Sequence, residues 1–183
     1  MFSTGSKSRR GVQGFTLVES LAGMLLAAVA AGTMADTIVG ILKRSYITLE
    51  VTQASDESER FAAAFTQAGK AATTWAIYPD RAAYLADQVG NVAAQGNVLV
   101  FQDQLPDGTT IMEMFEYDPT GQTLARCENT LSQQLSQLSK VVPSAGHTTV
   151  FEQDFALVQA HWSVQSAYEL MEFEAYGTSS RMR

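Results

Sequence analysis

From Phe15 to Leu42 the chain is almost free of charge, with only Glu19 and Asp36 interrupting a succession of Leu, Ala, Val, Gly and Met. This run constrains the fold more than any other feature. The uninterrupted part, residues 20–35, is sixteen residues long, and a spanning helix needs roughly 20. Adding residues 15–18 and 38–42 supplies the missing length, and Lys43 and Arg44 close the segment. The preceding residues, 1–14, are polar and carry Lys7, Arg9 and Arg10. A secretory signal peptide places its apolar stretch before the cleavage site; here a basic stretch and a glycine come first and the apolar run follows. The basic side is expected to be cytoplasmic and the remainder to lie outside.

No proline occurs before Pro79, so nothing stops a helix at residue 44. Leu42, Tyr46 and Leu49 continue one helical face, and after the polar "SDESER" that face resumes with Phe61, Phe65, Ala68, Ala72 and Trp75. A helix from Phe15 to about Ile77 would be on the order of 95 Å long at 1.5 Å per residue. It would divide into a hydrophobic half (residues 15–44) and an amphipathic half (residues 45–78).

Residues 79–183 are expected to form a mainly antiparallel β head, so the fold class is α+β. Residues 97–104, 109–118 and 122–129 read as strands, separated by the turn signals "LPDG" and "PTG". Two more strands are expected over 154–165 and 169–180. Ahead of those two, residues 131–142, "LSQQLSQLSKVV", read as a short helix or loop, from Leu131, Leu135 and Leu138 at spacings of four and three.

Catalytic chemistry has little footing in the sequence. His147 falls in a polar loop and His161 in a strand pattern, with no HExxH or CxxC spacing, so no metal constellation, metal ion or other cofactor is expected. Cys127, the sole cysteine, allows no internal disulfide and reads as a buried, inert thiol. Asp56, Glu57 and Glu59 lack the spacing of a calcium loop and fit a solvated helix face. No nucleophile motif or phosphate-binding glycine loop is present, and the expectation is a protein that is not an enzyme. Net charge is −7; beyond residue 14, nine Lys and Arg stand against nineteen Asp and Glu, a net of −10. That balance disfavours direct contact with nucleic acid.

The N-terminal stretch "GFTLVE", residues 14–19, after a basic leader and before an apolar helix, resembles the processing site of type IV pilins and type II secretion pseudopilins. The resemblance is strongest over residues 7–42. It implies cleavage by a prepilin peptidase after Gly14, N-methylation of the new terminus Phe15, and a pairing and register role for Glu19 in a filament. Glu19 lies four residues from Phe15 on the same helix face. A carboxylate in lipid costs roughly 2.5–3.5 kcal/mol at mid-depth, which the amine of Phe15, from its own or a neighbouring subunit, would offset. Ala22, Gly23, Ala27, Ala30 and Ala31 would let helices bundle closely. The partners implied are that peptidase, other pilin or pseudopilin subunits and an inner-membrane assembly platform. The subunit would sit in the bacterial inner membrane through one helix, head in the periplasm, before joining a filament.

Two departures favour a minor subunit: no proline kinks the apolar segment and no C-terminal cysteine pair is present. "YDPTGQTLARCEN" and the ending "ELMEFEAYGTSSRMR" are similar to the strand pair and last strand of J-type or W-type minor pilins. The rival expectation is a single-pass membrane-anchored periplasmic binding domain whose anchor is never cleaved.

Overall fold

The computed structural model describes residues 16–86, 92–166 and 169–178. The chain divides into two compact units, Met1–Tyr46 and Ile47–Arg183. One helix, α1 (Leu17–Ala71), runs through the boundary between them, and all the β structure belongs to the second unit. The protein is therefore α+β, with a long N-terminal helix and antiparallel sheets.

In the first unit every described residue is exposed, the large apolar side chains of Leu17, Leu21, Leu25, Val29 and Ile38 included. Two hydroxyls in this apolar stretch are satisfied within the helix. Thr33 Oγ1 donates to the Ala30 carbonyl at 2.9 Å and Thr37 Oγ1 to the Thr33 carbonyl at 2.8 Å, which spares a hydroxyl the cost of lacking a partner in an apolar medium.

In the second unit the strands form two sheets. Sheet one has the order β1 (Thr74–Tyr78), β3 (Val98–Gln104), β4 (Thr110–Asp118), β5 (Thr123–Glu128), β6 (Gln134–Ser139). Sheet two has β10 (Leu170–Thr178), β9 (Leu157–Gln165), β8 (Phe151–Asp154) and β2 (Gln95–Gly96), and β7 (Val141–Pro143) pairs with β9 beyond β8. Every pairing is antiparallel.

The outer turns of α1 place Phe61, Phe65, Ala68 and Ala72 in one core with Phe101 and Phe115 of sheet one and Phe151, Val158 and Trp162 of sheet two. Phe65 is completely buried. Its ring meets Phe115 edge-on at 5.1 Å and Phe101 edge-on at 5.4 Å, and stacks on Phe151 at 6.2 Å. One helical residue thus joins both sheets. Gly69 lets the helix approach β10: a Cβ there would lie 2.5 Å from the Gly177 Cα.

Strand side chains alternate between faces, which explains the unbroken apolar "VLVF". Leu99 and Phe101 enter the core under α1, and Val98 and Val100 enter a second cluster on the other face of sheet one. That cluster also holds Met114, Cys127, Leu131 and Tyr84, the last from the short helix α2 (Arg81–Ala86). The "LPDG" turn forms as expected: the Gly108 amide donates to the Leu105 carbonyl at 3.0 Å and Gly108 has φ of 87°.

Three expectations need correction. The helix ends at Ala71 rather than near residue 77 or 78, and Thr74–Tyr78 is β1. Thr73 already donates its amide to the Gln102 carbonyl at 2.7 Å, so β3 captures the chain before Pro79 can act as breaker. Trp75 consequently reaches the core from a strand, and Leu42, Tyr46 and Leu49 stay exposed. Facing inward on that stretch instead are Ile47, Val51, Ala54 and the buried Ser58. The segment read as a Gln-rich helix or loop is β6 and β7. Its leucines do not share a face: Leu131 enters the second cluster, Leu138 the main core, and Leu135 is half exposed. Finally, the strand expected over 154–165 is only the second arm of a hairpin, β8–β9, that turns at Phe155 and Ala156. Phe155 sits at φ of 51°, a conformation that turn rules reserve mainly for Gly and Asn.

Candidate functional site

The apolar segment begins with a helix cap. Thr16 precedes the first helical residue, and both its amide and its hydroxyl donate to Glu19 Oε2 at 2.9 Å. In return the Glu19 amide donates to Thr16 Oγ1 at 3.3 Å. This is a capping box, which satisfies two amides otherwise left without partners at a helix N-terminus. The Thr-x-x-Glu spacing ahead of an apolar run signals it, so Glu19 has a structural task that the pairing argument alone leaves out. A carboxylate offers about four acceptor positions, so the two contacts from Thr16 leave room for a further cation. Gly14 and Phe15, the residues of the expected cleavage and methylation, lie outside the described residues.

Steps of three and four keep Ala22, Gly23, Ala27, Ala30 and Ala31 on the side of the helix that carries Glu19. A Cβ added at Gly23, Gly32 or Gly40 would meet nothing within 4 Å. α1 is long and apolar enough to cross a membrane, and none of its most apolar stretch is buried within the chain. No protein-family model, curated protein or solved structure matches the chain.

The head carries a polar cleft of about 460 Å³, lined by Asp80, Arg81, Glu116, Asp118, Cys127 and Gln137 among others. Arg81 Nη1 lies 3.0 Å from Glu116 Oε2, with the Arg side chain half exposed and the carboxylate nearly covered. Burial pushes the Glu116 carboxyl above its ordinary value near 4.5, against the attraction of Arg81. A raised carboxyl supports the fold fully below the unfolded value, and that support disappears as pH climbs through the folded one. Denaturant unfolding of the full chain in detergent, run from pH 4.5 to 7, should therefore show a loss of stability that Glu116→Gln lacks. Parallel pH profiles for the two proteins would contradict this. Cys127 is buried, its thiol donates to the Leu131 carbonyl at 3.7 Å, and burial pushes its pKa up. A thiol so held is protonated at neutral pH and a poor nucleophile.

Spacing in the sequence set His147 and His161 apart, yet the fold brings them together. Their rings stack with centroids 4.4 Å apart, and Glu152 joins them. The expectation of no metal constellation was drawn from linear spacing. The β8–β9 hairpin overrides it by folding residue 152 back beside residue 159.

Proposed function

We propose that this chain is a minor pilin or pseudopilin subunit, cut by a prepilin peptidase after Gly14, N-methylated at Phe15 and assembled into a type IV pilus or type II secretion pseudopilus. The observation that carries the reading is "GFTLVE" set directly on an exposed apolar helix, with Glu19 in the first turn. In a lone subunit that surface belongs in lipid; in a filament it belongs against other helices, where the small residues from Ala22 to Ala31 permit close approach. The head, whose core closes over the outer turns of α1, is the part presented to the periplasm and to neighbouring subunits. The subunit waits in the bacterial inner membrane, engages an assembly platform there and leaves the bilayer when it enters the filament. The filament serves secretion, adhesion, motility or DNA uptake. The similarity of "YDPTGQTLARCEN" and "ELMEFEAYGTSSRMR" to J-type or W-type minor pilins supports a minor subunit.

The test is mass spectrometry of the chain extracted from membranes of cells that hold the peptidase. The expected mature N-terminus is methylated Phe15. An intact Met1 would instead support the uncleaved, single-pass anchored binding domain and end the pilin reading.

A further inference from the structure

We propose that His147, Glu152 and His161 form a binding site for a divalent transition metal of the zinc class. Each of the three offers one ligand atom, and those atoms lie within 4.8 Å of one another. They come from three places: His147 from the loop after β7, Glu152 from β8 and His161 from β9. A metal held by all three would tie that loop to sheet two.

The surroundings orient these groups as metal ligands require. His161 Nε2 lies 3.0 Å from Gln159 Oε1; with Nε2 protonated and donating to that oxygen, the lone pair is on Nδ1. Gln95 donates its side-chain amide to Glu152 Oε1 at 2.8 Å, while Oε2 is directed at His147 Nδ1 from 3.5 Å. Glu174 Oε1 approaches His161 Nδ1 to 3.7 Å, and its other oxygen accepts the Tyr176 hydroxyl at 2.6 Å. These imidazole–carboxylate gaps are longer than ordinary hydrogen bonds. Among the described residues, neither Nδ1 has a closer partner. Glu152 Oε1 and Glu174 Oε2 are thus occupied by Gln95 and Tyr176, while the other oxygen of each carboxylate lies beside an imidazole Nδ1.

The loop is held in place before any metal arrives. The His147 amide donates to the Ser144 carbonyl at 3.0 Å, Ser163 Oγ donates to Ser144 Oγ at 3.3 Å, and the Val150 amide donates to Asn97 Oδ1 at 3.4 Å. A tetrahedral site with bonds near 2.1 Å needs ligand atoms about 3.4 Å apart, so these atoms must close in by at most ~1.4 Å, and the His147 ring must turn out of its parallel stack on His161 to aim its lone pair at the metal. That movement falls to His147 and Glu152, each a third exposed, since His161 is buried and braced by Gln159. Two imidazoles and one carboxylate select zinc or a neighbouring transition metal over calcium or magnesium, which prefer all-oxygen shells. Water, or Glu174 swung inward, completes the coordination.

The test uses the untagged full-length chain in detergent, stripped with a chelator, dialysed against zinc sulfate and assayed for bound metal. One zinc per chain is expected, retained in the presence of excess calcium, and Co²⁺ in its place should give the intense visible bands of a tetrahedral site. His147→Ala and Glu152→Gln should each abolish stoichiometric binding. Gln159→Leu, acting only through His161, should weaken it about 10-fold, the lower end for outer-shell residues. His147 and Glu152 carry the decision because their partly exposed side chains can be changed without emptying the core, and far-ultraviolet circular dichroism of the metal-free variants checks that. Absence of saturable zinc binding in the wild type overturns the proposal, as does undiminished binding by folded His147→Ala.

Discussion

Replacing Glu19 with alanine should leave cleavage after Gly14 intact and remove the subunit from purified filaments. Alanine takes away two things: the carboxylate that would meet the amine of Phe15, and the acceptor for the Thr16 amide and hydroxyl. Glu19→Gln separates them. Glutamine can still close a capping box but carries no charge. Losing a cap costs about 0.5–2 kcal/mol, which a helix embedded in lipid or in a bundle can absorb. An uncompensated mature amine in the apolar bundle costs more, because a charge without a partner or water is left there. Glu19→Gln is thus expected to fail in assembly as completely as Glu19→Ala, with both proteins recovered from the inner membrane as cleaved monomers. Immunoblots of sheared filament and membrane fractions, with mass spectrometry of the N-terminus, read this directly. Wild-type incorporation of Glu19→Gln would reduce Glu19 to a helix cap.

The second large effect concerns the head. Phe65→Ala should lower its stability by about 3–5 kcal/mol, the range for removing a buried aromatic ring. A domain of this size has about 5–15 kcal/mol in total, so the substitution brings the head near its unfolding threshold. Phe65 is fully buried and its ring touches Phe101, Phe115 and Phe151, so the cavity opens where both sheets meet the helix. Trp162 is buried in that core and Trp75 packs against it, so tryptophan fluorescence during denaturant unfolding follows the event. Leu49→Ala serves as the reference: the side chain is exposed, and a change within about 0.5 kcal/mol is expected. A loss under about 1 kcal/mol for Phe65→Ala would mean the helix is not the keystone of this core.

Local signals marked the elements whose neighbours matter least. The apolar run from Phe15 to Leu42 dictates a helix whatever surrounds it, because no other backbone can satisfy its own amides in lipid. The strands at 97–104, 109–118 and 122–129 were legible because "LPDG" and "PTG" separate them with residues suited to turns. Where long-range pairing competed with local pattern, it won. Residues 72–78 continue a helical stripe, yet the Thr73 amide finds Gln102 and the segment joins β3. The leucines at 131, 135 and 138 keep helical spacing, yet β5 offers a free edge and Gln134–Ser139 pairs with it.

The cluster in the head was out of reach for the same reason. His147 and His161 are fourteen positions apart, and the turn that brings Glu152 and His161 onto paired strands passes through Phe155, a residue no turn rule would select. The apolar N-terminal helix and the α+β class follow from the residues alone, since hydrophobic periodicity and turn signals act within a few positions. Where the helix yields to sheet, which residues form the core beneath it, and the convergence of two histidines and a glutamate all depend on contacts between segments far apart in the chain, which no local pattern encodes.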